Sequence, residues 1–315
     1  MVDRPDNLFA YADLPRFGLG NVMIPWARSE VFAAQTGARL LAPRWVQPKI
    51  GPILRRERDL RLYWGFFSNA GTIRGPRRWL LLRSAKRYPH TEAEAAVEAA
   101  KADPGTDHLV VFRFPEWGDE FFGGDGPEHR EIISTALEQR LSSNMKRTRD
   151  AARATLPDRY IAMHVRRGDK KVMPEGEDKD VNKESIWVMR DAWYASTLAS
   201  VRDAIGADAP AVIFSDGTDD ELADLLAMPG TVRAPASPSI VDILLLAQGE
   251  ILIGTATSSF SLWASLLAEI PALWYPGVTK MTQPQRPELV IETSERGEIT
   301  GDQRRVVADA WTGGE

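Results

Sequence analysis

The chain contains no cysteine, which excludes disulfides, thiolate catalysis and Cys-ligated metal centres. Histidine is scarce: His90, His108, His129 and His164 are the full set, and no two fall at metal-ligand spacing. No apolar run approaches the ~20 residues that span a bilayer; Ile243–Ala247 is typical of the longest. Charge of one sign is not in excess either. The formal net charge is −5 over 315 residues, so there is no global basic field for nucleic acid. Any anion site must therefore be built from local arginines. Met1-Val2-Asp3-Arg4-Pro5 has no apolar signal core. Together these absences lead to the expectation of a soluble, cytoplasmic protein. There is no internal repeat and no low-complexity segment, and the abundance of Ala, Arg, Asp and Gly points to a GC-rich bacterial genome.

The apolar fraction of 43% suits a sizeable core, and the length exceeds what one core usually supports, so two domains are expected. Short apolar runs alternate with amphipathic ones. In the first half, Leu8–Tyr11 reads as a strand. Asn21–Gly37 reads as a helix with Ile24, Ala27, Val31 and Ala34 on one face, and Arg39–Pro43 as a second strand. Residues 44–80 read as irregular, with scattered aromatics and arginines. Thr91-Glu92-Ala93-Glu94 has the spacing of a capping box before a helix. Leu109–Phe114 is a strand, and Glu128–Thr155 is one or two helices.

The second half alternates more cleanly. Strands are expected at Tyr160–Val165, Ala211–Phe214, Thr231–Arg233, Ile251–Ile253 and Ala272–Trp274. Helices are expected near 187–205 and at Asp219–Ala227, Ser239–Gln248, Ser259–Ala268 and Asp302–Trp311. Alternating strands and helices imply parallel sheets. The expected architecture is α/β, with two Rossmann-like parallel-sheet domains facing a central cleft. The first would cover residues 1–156 and carry the acceptor side, the second 157–285, followed by a tail over 286–315 with a terminal helix.

Four segments could carry chemistry. Tyr160-Ile-Ala-Met-His-Val-Arg-Arg-Gly-Asp169 is an apolar strand ending in His164, Arg166, Arg167 and Asp169. Two adjacent guanidinium groups are tolerable when an anion lies between them, and a diphosphate suits their forks; an internal Arg–Asp ion pair is the alternative. Gly18-Leu19-Gly20-Asn21 precedes a helix, where glycines let backbone approach a phosphate; a plain tight turn with an Asn cap reads equally well. It is not the dinucleotide fingerprint, because Met23 occupies the third glycine position and no acid closes the second strand. Phe214-Ser215-Asp216-Gly217 is a strand running into a polar turn. Gly254-Thr-Ala-Thr257-Ser258-Ser259-Phe260 brings hydroxyls to a helix start, either as a phosphate cradle or as an ordinary cap. Asp242, inside Ile240–Leu246, is a first-turn acid or a specific acceptor such as one for the N–H groups of guanine. Asp178-Lys179-Asp180 resembles a metal-binding Asp-x-Asp, but no apolar strand precedes it, so it reads as a solvated loop. Arg167-Gly168-Asp169 matches an adhesion tripeptide and sits at a sheet end, where adhesion is not expected.

Taken together and in order, these segments resemble the fucosyltransferase superfamily that includes bacterial α-1,2-fucosyltransferases, α-1,6-fucosyltransferases and protein O-fucosyltransferases. The resemblance rests on His164-x-Arg-Arg-x-Asp169, the Gly-Leu-Gly-Asn turn, Phe214-Ser-Asp216, and the block from Asp242 to Trp263. The order follows the α-1,2 group over roughly residues 8–280, while Arg167-Gly168-Asp169-Lys170 looks like the α-1,6 group. The resemblance implies a GT-B fold and metal-independent inverting transfer from GDP-fucose to a carbohydrate acceptor, with no cofactor. By motif, Arg166 and Arg167 would neutralise the diphosphate, and His164 and Asp242 would contact guanine. Thr257, Ser258, Ser259 and the Phe260 amide would hold the β-phosphate. Gly18, Gly20 and Asn21 would close over the diphosphate, and Asp216 would line the site. Glu175 lies near the position of the proposed base in α-1,6 relatives, one residue out of register; Asp169 beside the arginines is cast as their orienter. An N-terminal-domain carboxylate such as Asp13, Asp169 itself, or no side-chain base at all, are the alternatives. Departures are Val22 in place of a glutamine and Leu262-Trp263 in place of an aromatic pair. Competing readings are a GT-B transferase for another nucleotide sugar and a non-catalytic nucleotide- or glycan-binding homologue.

Overall fold

The structure is a computed structural model that describes residues 5–46, 62–115, 127–168, 171–172, 187–256, 258–277 and 287–313. The chain divides into two compact units, Met1–Lys146 and Arg147–Glu315. Each is built on a parallel sheet flanked by helices, the expected α/β pattern.

The first unit has strands β1 (Leu8–Ala12), β2 (Arg39–Leu41), β3 (Lys86–Pro89) and β4 (His108–Phe112), in the order β2-β1-β4-β3 and all parallel. Alternation along β1 places Leu8 and Ala10 on one face and Phe9 on the other. Leu8 and Ala10 pack with Phe32 of α1 (Leu19–Thr36) and with Ala96 and Ala100 of α3 (Ala93–Ala102). Phe9 packs with Leu81 of α2 (Gly75–Ser84) and with Leu109. Helix α1 stops where expected, at Gly37, whose φ of 78° is the left-handed cap and whose N–H donates to the Ala33 carbonyl. Pro25 lies inside this helix and cannot donate to the carbonyl one turn back.

Two local readings change in this unit. The capping box at Thr91–Glu94 does not form: residues 90–92 are a 3-10 turn, and α3 starts at Ala93 with no side-chain cap. The stretch read as irregular contains α2, which Pro76 opens from its first turn. Its aromatics are largely core, since Trp45 stacks on Phe67 at 4.2 Å between ring centroids and Tyr63 and Phe66 are buried, whereas Trp64 and Trp79 are exposed. Helices α4 (Pro127–Arg140) and α5 (Ser143–Arg153) complete the order before the second sheet.

The second unit's strands are β5 (Ile161–Val165), β8 (Ala211–Ser215), β9 (Thr231–Arg233), β10 (Ile251–Ile253), β11 (Ala272–Trp274) and β12 (Val290–Glu292), all parallel, in the order β12-β11-β10-β5-β8-β9. A short parallel pair, β6 (Lys171–Val172) with β7 (Trp187–Val188), stands apart. Between the strands run α6 (Asp191–Ile205), α7 (Ala223–Leu226), α8 (Ser239–Leu246) and α9 (Ser259–Ala268), and α10 (Gly301–Thr312) ends the chain. The helix expected near 187 starts at Asp191, because Trp187 and Val188 are extended. The segment expected as a tail supplies the edge strand β12 and α10, which packs on α6.

Every side chain of β5 is buried, which fits a central strand covered on both faces. From β5 the chain builds outward through β8 and β9, then returns to lay down β10, β11 and β12 on the other side. The loops leaving β5 and β10 thus diverge, and the crevice between their carboxyl ends is where ligands settle in open α/β sheets.

Candidate functional site

Of the expected residues of the second unit, His164, Arg166, Arg167, Asp216 and Ser258 lie at the carboxyl ends of β5, β8 and β10. His164 is the penultimate residue of β5 and 6% exposed. Its Nδ1 lies 2.7 Å from the Ser261 hydroxyl, and its ring stacks on Phe260 at 5.8 Å and 18°. Ser261 Oγ also accepts from the Thr255 N–H at 3.1 Å. Ser261 Oγ thus bridges the Thr255 amide and the His164 ring through one hydroxyl. Burial, helped by the nearby Arg166 charge, lowers the His164 pKa to about 3, so the ring is neutral. Ser261 thereby joins the loop after β10 and helix α9 to the end of β5.

Helix α9 begins at Ser259, capped by Ser258, whose hydroxyl accepts from the Phe260 N–H at 3.3 Å. The helix starts at the carboxyl end of β10, so its first-turn amides lie at that end of the sheet, a setting that favours anions. Gly254 is required here by packing, because a Cβ would come within 2.8 Å of the Trp274 ring.

The two arginines divide their labour. Arg167 is 5% exposed and committed inward. Its guanidinium donates to the Arg166 carbonyl at 3.0 Å and the Met189 carbonyl at 3.4 Å, and ion-pairs with Asp191 at the start of α6. Arg166 keeps 31% of its side chain exposed, and its Nε lies 3.2 Å from Asp216 Oδ2. Asp216, at the end of β8, fastens both: its Oδ1 accepts the Arg167 N–H at 2.7 Å. Gly168 lies against the same carboxylate with φ +51°, and a Cβ there would meet Asp216 Oδ2 at 2.4 Å. Below this layer the Tyr194 hydroxyl faces Thr255 and the Arg166 backbone, and burial raises its pKa to about 12. Asp242 lies in the first turn of α8, which starts at the same end of the sheet, and accepts from the Ser237 hydroxyl.

The remaining expected residues belong to the first unit or lie outside the described residues. Gly18 is the N-cap of α1, and Gly20 and Asn21 are in its first turn, within the first unit; Gly18 supplies no side-chain cap. Asp13 of that unit pairs with Arg113 at 3.2 Å. Asp169, Glu175 and Thr257, with Asp178 and Asp180, lie outside the described residues. Among the described residues no group of three His, Asp or Glu side chains is arranged to hold a metal, and no helix is long and apolar enough to cross a membrane. Sequence reasoning missed Ser261, Tyr194 and Asp191, while Thr255 lay in the hydroxyl-rich segment but was given no role of its own. Ser261 carried one usable signal: a hydroxyl three residues after a Ser cap, in a helix otherwise rich in Leu, Trp and Ala.

By sequence, no family profile and no curated protein matches the chain. Solved structures do match by fold. A fucosyltransferase, NodZ from Bradyrhizobium, superposes with a TM-score of 0.50 at 16% identity, covering 84% of this chain and 94% of the other. POFUT1, crystallised with GDP, gives a TM-score of 0.50 at 12% identity, covering 85% and 99%. The chain thus shares its fold with these structures over 84–85% of its length.

Proposed function

We propose that this protein is a glycosyltransferase that moves fucose from GDP-fucose to a hydroxyl of a glycan or glycoconjugate, with inversion and without a metal. The observation that carries the proposal is that a partly exposed Arg166, held by Asp216 after β8, and the Ser258-capped start of α9 after β10 both lie at the carboxyl end of the sheet, on either side of β5. Breaking a glycosyl–phosphate bond builds negative charge on the departing diphosphate while the sugar becomes oxocarbenium-like. A guanidinium held by Asp216 and a set of helix amides supply fixed positive partners for that charge, the role a divalent cation would otherwise take. Neutral His164 and the carboxylate of Asp242 suit a guanine base, which offers N–H donors to a carboxylate. Arg167 does not contact the donor in this scheme; it holds Arg166 in place.

Activity measured with GDP-fucose, a mixed glycan acceptor and excess chelator tests the proposal. The wild-type enzyme is expected to keep its turnover in chelator. Arg166→Ala is expected to lose ~10²–10³-fold in kcat, the usual effect of removing one transition-state donor. Folded Arg166→Ala with normal turnover, or activity abolished by chelator and restored by Mg²⁺, defeats it.

A further inference from the structure

Helix α2 is apolar on two opposite faces. One face, Leu81 with Leu82 and Ala85, packs on the first sheet against Phe9, Leu41 and Leu109. The opposite face carries Trp79 and Leu80, which are 60% and 54% exposed. A surface helix ordinarily turns polar residues outward. Among the described residues these are the one pair of sequence neighbours in which both large apolar side chains are exposed. Arg83 lies over the Trp79 ring at 5.4 Å, and Arg74 and Arg77 flank the pair, both exposed. Residues 60–91 hold seven Lys and Arg and no Asp or Glu, in a chain whose net charge is −5. No ion pair to a carboxylate engages Arg74, Arg77 or Arg83 among the described residues.

We propose that this face of α2 docks the protein on an anionic lipid bilayer. Trp79 and Leu80 would enter the headgroup–acyl boundary, and Arg74, Arg77 and Arg83 would pair with lipid phosphates. The combination selects this occupant. A basic patch alone would suit any polyanion, but an exposed Trp–Leu pair finds burial in a bilayer and none on a nucleic-acid backbone. Trp rings favour the interface, and each Arg near an anionic surface strengthens binding about fivefold. The helix covers only a few turns, so the contact is peripheral and reversible, and it is independent of the transfer reaction proposed above.

Flotation with phosphatidylcholine vesicles, with and without phosphatidylglycerol, tests the idea on the full chain. Wild type is expected to float with the anionic vesicles, to stay behind with the neutral ones, and to be released by salt. Arg77→Gln/Arg83→Gln should lower partitioning about 25-fold, and Trp79→Ser/Leu80→Ser by about tenfold or more. These side chains are solvent-facing, so both double variants should melt at the wild-type temperature. Binding indifferent to phosphatidylglycerol, or unaltered in the Trp79/Leu80 variant, overturns the proposal, as does binding to RNA with none to vesicles.

Discussion

Gly168→Ala tests how Asp216 organises the site. The substitution has two separable costs. An alanine at φ +51° is held in the left-handed region, at roughly 1–2 kcal/mol. Its Cβ would also meet Asp216 Oδ2 at 2.4 Å, so the carboxylate must turn away. Turning breaks the bond from the Arg167 N–H, worth ~1.5–3 kcal/mol for a charged acceptor. It also breaks the Arg166 pair, which at 40% exposure of Asp216 is worth ~1 kcal/mol at most. Together Gly168→Ala should destabilise by roughly 3–5 kcal/mol. In an Asp216→Ala background the oxygen is gone, and only the backbone cost remains. The double variant should therefore be less destabilised than the sum of the singles by about 2–3 kcal/mol, read from urea unfolding of the four proteins. Additivity to within ~0.5 kcal/mol would refute the idea that Gly168 is required by the carboxylate.

Arg167→Ala should act first on stability, and on chemistry only through Arg166: it leaves the Met189 carbonyl and the partly exposed Asp191 without their buried partner, at a cost of ~1–3 kcal/mol, and a variant that melts like wild type contradicts the assignment. His164 makes the fold acid-sensitive. Its folded pKa of about 3 lies below its ordinary value of 6.5, so the unfolded chain binds the extra proton between these limits. The stability it contributes is complete above pH 6.5 and falls as pH drops toward 3, at a slope approaching ~1.4 kcal/mol per pH unit. His164→Gln should flatten that fall between pH 6.5 and 4; an unchanged pH profile contradicts a neutral buried ring.

Much of the second unit was legible in the sequence. Thr231–Arg233, Ile251–Ile253, Ser259–Ala268 and Ala272–Trp274 have the bounds that their patterns suggest. The reason is physical: a buried parallel strand is a short apolar run, and Ser258 marks the helix start with its own hydrogen bond. Strand β3 was not legible, since Lys86-Arg87-Tyr88-Pro89 is an edge strand with one buried side chain. Helix α2 escaped because its outward face is apolar, which erases the usual periodicity. At the site, the placement of His164, Arg166, Asp216 and Ser258 at one end of the sheet could be anticipated from three strand ends. The separate fates of Arg166 and Arg167 could not, because the partner that draws Arg167 inward, Asp191, comes from another element across the chain.

The most direct test of the account is a thermal-shift panel of GDP, UDP, ADP, CDP and GDP-fucose on wild type and Arg166→Ala. GDP and GDP-fucose should raise the melting temperature of wild type well above the other nucleotides, with ~2.7 kcal/mol of added stability at 100 times Kd. Arg166→Ala should lose most of that shift. A larger shift with UDP, ADP or CDP, or an Arg166→Ala response equal to wild type, would contradict a GDP-sugar site at the carboxyl ends of β5 and β10.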